Sequence, residues 1–205
     1  MERLRELPPG RRPGRLVCAS AVGFYGDRGE EELTDASPPG TGFLADLCVA
    51  WEAEARRAAE LGVRVAHLRF GVVLSHAGGA LAALARVFGL GLGGRIGDGR
   101  QWFSWIHLDD VVGLAHRALD DIDFTGAFAA VAPAPVRNVD FTRELAHALH
   151  RPALLPAPAF AVRLALGELA GELLGSRRVR PARAQALGHR FAHPELPSAL
   201  AAELG

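Results

Sequence analysis

The chain has 205 residues, is 49% hydrophobic, and balances 23 basic against 23 acidic residues. That length and apolar content suit one globular domain with at most a small appendage. With no net charge there is no broad field to attract a polyanion, so nucleic acid is not an expected partner.

Every one of the 23 basic residues is arginine, and Tyr25 is the single tyrosine. Cys18 and Cys48 form no CxxC pair, and the eight histidines form no HExxH, so neither a disulfide framework nor a bound metal is expected. His147 and His150 lack carboxylate company and read as a solvated helix face. The amino-terminal residues have no apolar signal core, and no run reaches the roughly 18 apolar residues of a membrane span. A soluble cytoplasmic protein without a membrane partner is the resulting expectation.

In chain order, Glu2 to Leu7 reads as the end of a helix, stopped by Pro8-Pro9-Gly10. Leu16 to Val22 is apolar on both alternating faces, which marks a strand covered on both sides in a parallel sheet. Gly23 to Gly40 reads as loop, with Glu30-Glu31-Glu32 a solvated run. Phe43 to Leu61 is a helix, with Leu44, Leu47, Cys48, Trp51 and Ala55 assigned to its buried face. Val63 to Phe70 is the next strand, and Gly71 to Leu74 continues it. Ala80 to Phe88 is helical. A glycine-rich run from Gly89 to Asp98 follows, then an aromatic stretch with Trp102, Phe103 and Trp105 that reads as an extended lip. Asp109 or Asp110 looks like the cap of a helix from Val111 to Leu119. Ala127 to Val131 is a strand, and Asn138 or Asp140 caps a helix through Leu149. An apolar helix from Ala159 to Leu174, an arginine-rich turn from Ser176 to Arg183, and a helix from Leu196 to Leu204 complete the chain.

Alternating strands and helices with doubly buried strands imply an α/β layered fold with a parallel sheet. Such sheets bind ligands at the carboxyl ends of their strands. Three stretches converge there: Ser20 to Gly26, Arg69 to Leu74, and the aromatic lip.

At these stretches the chain resembles the extended short-chain dehydrogenase/reductase superfamily, of the epimerase and dehydratase type. SAVGFYG, LRFGVVL and GDGRQWFSWIHLDD match its strand-end serine, following strand and GDG…HxDD segments. SAVGFYGDRG, FGVVLSHAGGAL and the tail RRVRPARAQALGHRFAHPEL are more specifically similar to an "epimerase family" subgroup ending in a small domain of unknown function. The resemblance implies a Rossmann-like fold binding NADP or NAD. It places the dinucleotide-binding part at residues 1–135 and a small, mostly helical domain at 136–205.

The chain departs from that pattern in two ways. No strand followed by a G-x-x-G-x-x-G turn precedes Leu16, so the chain is expected to be the carboxyl-terminal two-thirds of a family member, truncated at its amino terminus. The glycines at 89–94 are a weak substitute, since they follow a helix. Leu16–Val22 should then have one bare edge, and a complementary amino-terminal fragment or a homo-oligomer is a possible partner. The family's Tyr-x-x-x-Lys pair is also missing, because the chain has no lysine. Counting back from Tyr25-Gly26, the catalytic Ser/Thr slot falls on Ala21, with Ser20 one earlier.

What the resemblance implies for the site is therefore partial. Ser20 and Tyr25 are the candidate catalytic hydroxyls. Ser20, Ala21, Val22, Arg69, Gly71 and Val72 are the candidate cofactor contacts, with Arg69 meeting either the cofactor or a carboxylate at the strand end. Phe103, Trp105 and His107 are the candidate substrate pocket, with His107 either a general acid at the lip or a structural histidine bonded to Asp109 or Asp110. Phe103 occupies a slot that often holds a phosphate-binding arginine, which disfavours a nucleotide-sugar diphosphate; Arg95 and Arg100 are alternative partners. Arg177, Arg178, Arg180 and Arg183 read as a solvated basic turn or as a grip for a neighbour's phosphate. Two functions stand: a nicotinamide-dependent, epimerase-like oxidoreductase acting on an unidentified small molecule, or a non-catalytic dinucleotide-binding or regulatory protein.

Overall fold

The protein is described by a computed structural model covering residues 2–167 and 170–205. A short helix α1 (Glu2–Glu6) leads to strand β1 (Arg15–Ala21), a two-residue strand β2 (Glu32–Leu33) and helix α2 (Phe43–Arg56). Strands β3 (Arg64–Phe70) and β4 (Val72–Leu74), helix α3 (Gly79–Gly89), strands β5 (Trp102–Phe103) and β6 (Trp105–His107) and helix α4 (Leu108–Asp120) follow. Then come β7 (Gly126–Ala130), β8 (Val136–Arg137), α5 (Asn138–Ala148), α6 (Ala159–Leu166), α7 (Ala170–Leu174), β9 (Arg178–Val179), α8 (Ala182–Ala186) and α9 (Leu196–Leu204).

The central sheet is parallel, in the order β1-β3-β7. Its core side chains include Leu68, Phe128 and Ala130, packed on Ile106 and Leu114. Among the described residues, strand β1 pairs on one side only, with β3. Strand β4 does not extend β3 as the sequence suggested. Gly71 breaks the run, and β4 pairs in parallel with β6 as a separate two-stranded sheet. The cause is a close approach: a side chain at Gly71 would start 2.6 Å from the Ser104 carbonyl oxygen.

Helix α2 buries Ala45, Cys48, Glu52 and Ala55. Leu47 and Trp51 were expected on that face, yet they are 42% and 59% exposed, beside Phe43 at 62%. The buried stripe is made of small residues plus one carboxylate, so the bulkiest apolar side chains misdirect the reading. Helix α4 begins earlier than expected, because its cap is His107, whose Nδ1 accepts the Asp109 N–H at 3.1 Å. Asn138 is the first residue of α5 rather than its cap, and its side chain accepts the Ile96 N–H at 2.8 Å. The apolar run at 159–174 forms α6 and α7, with residues 168–169 outside the described part. Among the described residues, no helix is long and apolar enough to cross a membrane.

The carboxyl-terminal segment is stitched into the sheet domain. Strand β9 pairs with β2, and α9 packs on α5. Asp110 accepts the Ala192 and His193 N–H groups at 2.6 and 3.1 Å. Glu203 of α9 accepts the His76 N–H at 2.6 Å and meets the His76 ring at 2.7 Å. Its other oxygen lies 3.0 Å from His107 Nε2, while the His107 ring stacks on that of His193 at 3.7 Å.

Two outcomes follow from this packing. Amides of Arg15–Ala21 that point away from β3 should exchange with solvent at least about tenfold faster than their inward neighbours; uniform protection would mean the edge is covered. Burial raises the Glu203 carboxyl, but the His76 contacts and the nearby His107 outweigh it and hold the group below its ordinary value. A depressed carboxyl stabilises the fold above the ordinary carboxylate range and loses that contribution as pH falls through its folded value. Proteolysis of α9 should therefore accelerate at acidic pH, and Glu203→Gln should flatten that dependence. An unchanged pH profile in the variant would sink the assignment.

Candidate functional site at the strand ends

Register decides which side chains meet. Ser20 pairs with Arg69 and Ala21 with Phe70 across β1 and β3, and neighbours in parallel register share a face. Ser20 and Arg69 therefore turn together toward α2, where Glu52 waits. Glu52 accepts from Ser20 Oγ at 2.8 Å, from Arg69 Nε at 2.8 Å and from Arg69 Nη2 at 2.9 Å. Arg69 Nη1 donates to the Tyr25 hydroxyl at 3.1 Å and to the Asp35 carbonyl at 3.3 Å. The guanidinium lies 3.4 Å from the centre of the Phe24 ring. The Asp35 carboxylate carries the network onward by accepting the Ala129 N–H of β7 and the Arg183 N–H of α8.

Every side chain of this network is buried, and each hydroxyl already has a partner. Burial pushes the Tyr25 phenol up to about 12, against the smaller opposing pull of Arg69. Burial also works against the Glu52 carboxylate, but the Arg69 hydrogen bonds outweigh it and leave the group below its ordinary value.

The open space lies on the other side of the strand ends. A cavity of about 240 Å³ is bounded by Ala21, Val22, Gly71, Val72 and Phe103, with Glu172 and Arg177 on its rim. Past Val72, Phe103 and Leu173 it adjoins a second cavity of about 230 Å³ between α3, α5 and the lip. Arg177 binds Glu172 at 2.6 Å, and its backbone N–H donates to the Trp102 carbonyl at 3.2 Å, which fixes the rim to the lip. Ser104 reinforces the joint by donating to the Arg177 carbonyl at 2.8 Å and accepting the Val179 N–H at 3.1 Å.

The structure thus divides the residues singled out by sequence. Ala21, Val22, Gly71, Val72 and Phe103 line the cavity. Ser20, Tyr25 and Arg69, expected at the cofactor, are instead tied up with Glu52 on the α2 side. Trp105 is a core residue whose Nε1 donates to the Ala134 carbonyl at 3.2 Å, and His107 is a helix cap facing α9. The glycine run does not cradle an anion. A side chain at Gly94 would start 2.0 Å from the Leu155 carbonyl oxygen, and Leu155 and Ala157 donate N–H groups to Gly93 and Arg95. The arginine turn is a solvated face only in part: Arg180 is exposed, whereas Arg177 is buried. Arg178 and Arg180 meet Glu32, and Arg183 donates to the Ala127 and Thr125 carbonyls at 2.7 and 2.9 Å. Glu30 is solvent-exposed as expected, and it also accepts from Arg137 and from Trp102 Nε1, contacts that hold its carboxyl down to about 2.

Glu52, Asp35, Glu172 and the rim role of Arg177 were missed. For Glu52 a signal existed: it sits at the spacing of Ala45, Cys48 and Ala55, a carboxylate within a small-residue stripe. Removing one member of a buried ion pair strands the other, at a cost of about 3–5 kcal/mol. Glu52→Leu should therefore lower unfolding stability by about that amount in denaturant titration, and Glu52→Leu with Arg69→Met should recover much of the loss. A single variant within about 1 kcal/mol of the parent would contradict the role given to the pair.

Comparison with known proteins agrees with this architecture. A family model described as NAD dependent epimerase/dehydratase family matches residues 1–129, and a domain of unknown function, DUF1731, matches residues 157–203. The chloroplastic epimerase family protein SDR39U1 homolog of Arabidopsis thaliana is 42% identical over 199 residues, covering 97% of this chain and 57% of that protein. Epimerase family protein Mb2239 of Mycobacterium bovis is 43% identical over 186 residues, covering 90% of this chain and 62% of its own length. The chain therefore spans about three-fifths of these relatives. Among solved structures, human SDR39U1 (isoform 2) with NADPH superposes with a TM-score of 0.91 at 34% identity, over 99% of this chain and 68% of that one. A nucleoside-diphosphate sugar epimerase of Corynebacterium glutamicum gives 0.78 at 40% identity, over 95% and 38%. The chain belongs to the NAD dependent epimerase/dehydratase family.

Proposed function

We propose that this chain forms the nicotinamide-facing and substrate-facing side of an epimerase-type oxidoreductase site that uses NADP or NAD. The observation that carries the reading is the cavity at the carboxyl ends of β1 and β3, walled by Ala21, Val22, Gly71 and Val72. Small and apolar walls suit a flat ring, which gains from contact and needs few polar partners. A bound nicotinamide supplies or accepts hydride. With the cofactor bound, Val22 and Val72 would hold it, Phe103 would exclude water, and Arg177 and Glu172 would close the rim. NADPH in the human relative's structure supports this choice of cofactor.

The fit covers one end of the dinucleotide. Among the described residues, no strand-to-helix glycine turn is present to hold a pyrophosphate, since the glycine run is packed against Leu155. We assign that task to a segment outside these residues, pairing along the bare edge of β1 and beside the outward Phe43, Leu47 and Trp51. A second copy of the chain is the competing occupant.

A second reading, a non-catalytic dinucleotide-binding or regulatory protein, draws on the lack of lysine and on the engagement of Tyr25 by Arg69. Fluorescence titration of NADPH tests the pair. The chain alone should bind weakly, and adding a strand–glycine turn–helix segment from a family member should tighten binding at least about tenfold, or ~1.4 kcal/mol. No binding in either state would remove both readings. Tight binding by the chain alone would overturn the assignment of the pyrophosphate to another segment. Turnover of NADPH with a carbonyl substrate separates enzyme from regulator.

A further inference from the structure

The second cavity carries information about what enters the site. Its walls include Leu84, Phe88, Ile96, Phe103 and Phe141, and the Phe103 and Phe141 rings meet at 4.5 Å. Asn138 and Thr142 are its polar lining residues, and the Asn138 carbonyl oxygen is already engaged by Ile96. No charged side chain of the described residues lines it. Arg95, the sequence-level stand-in for a phosphate partner, lines a separate groove with Arg143, and Arg100 is exposed. A diphosphate placed here would surrender its water without gaining a charged donor.

The polar end is equally informative. The charged residues at the adjoining strand-end cavity are Arg177 and Glu172, and they neutralise each other at 2.6 Å. Arg177 also donates to the Glu172 carbonyl at 3.3 Å. An anionic ligand would face the Glu172 carboxylate along with the guanidinium, whereas a neutral oxygen can accept a hydrogen bond there without that repulsion.

We infer that the substrate is a neutral, largely apolar small molecule with one carbonyl oxygen, its oxygen at the Arg177–Glu172 rim and its hydrocarbon body between Phe88, Phe103 and Phe141. This rests on the function proposed above only in taking the rim as the reacting end, so binding is measured without cofactor and stands or falls separately from NADPH binding. The probes are 2-octanone, octanoate and UDP-glucose, titrated against the full chain by saturation-transfer NMR. The ketone should bind at least tenfold tighter than UDP-glucose and tighter than octanoate. Ala83→Phe, at the cavity mouth, should abolish ketone binding. Glu172→Gln, which frees Arg177 from its carboxylate, should strengthen octanoate binding about tenfold and narrow the preference for the ketone over octanoate. UDP-glucose binding as tightly as the ketone would overturn the inference. So would ketone binding that survives Ala83→Phe, or octanoate binding that ignores Glu172→Gln in a variant with a native unfolding profile.

Discussion

The buried pair of Glu52 and Arg69 is the constraint around which this chain is arranged. Taking two charges out of water is costly, and the cost is met only when nearly every donor and lone pair finds a partner. Ser20, Tyr25, the Asp35 carbonyl and the Phe24 ring supply those partners. They come from β1, the turn after it and the loop beyond, while the charges come from α2 and β3. One interaction thereby fixes the angle of α2 on the sheet and closes the serine and tyrosine loop against it. Through the Asp35 carboxylate the same network reaches β7 and α8.

A site follows from what this network removes. Arg69 leaves the cavity side, and the two hydroxyls nearest the strand ends leave with it. The walls that remain are mainly alanine, valine, glycine, leucine, phenylalanine and tryptophan, with Ser104 committed to the Arg177 carbonyl and an arginine paired to Glu172 at the rim. The carboxyl-terminal segment builds that rim. Ser176 accepts the Arg28 N–H through its carbonyl and donates to the Gly29 carbonyl, β9 pairs with β2, and Ser104 locks the lip to Arg177. The match of two family descriptions to the two ends of the chain does not correspond to two loosely joined bodies, since the second supplies walls for the cavity of the first.

The elements themselves were largely legible. An apolar run on both faces marked β1, the alternation of strands with helices marked the parallel sheet, and an acidic cap marked the start of α4 to within a few residues. The side-chain directions were not. Leu47 and Trp51 made the wrong face of α2 look buried, because periodicity identifies a stripe but not the partner that covers it. Arg69 was open to a cofactor or to a carboxylate, and the carboxylate is what it meets; that the partner is Glu52, and that register turns Ser20 toward it as well, is a tertiary fact. Of the two roles open to His107, the structure shows the structural one, a ring bonded to the Asp109 N–H; its further neighbours, Glu203 and His193, lie more than 80 residues along the chain and could not be read locally. The glycines at 93 and 94 signalled close approach correctly, while the approaching backbone belongs to Leu155 and not to a phosphate.

Because Tyr25 is the single tyrosine, tyrosinate absorbance followed against pH reads its ionisation without interference. A phenol committed to Arg69 within the buried network should stay protonated far above the ordinary value of about 10, ionising near 12 or only as the chain unfolds. Ionisation at or below the ordinary value in the native chain would show a phenol available for proton transfer. The division between a structural network and an apolar cavity would then fail.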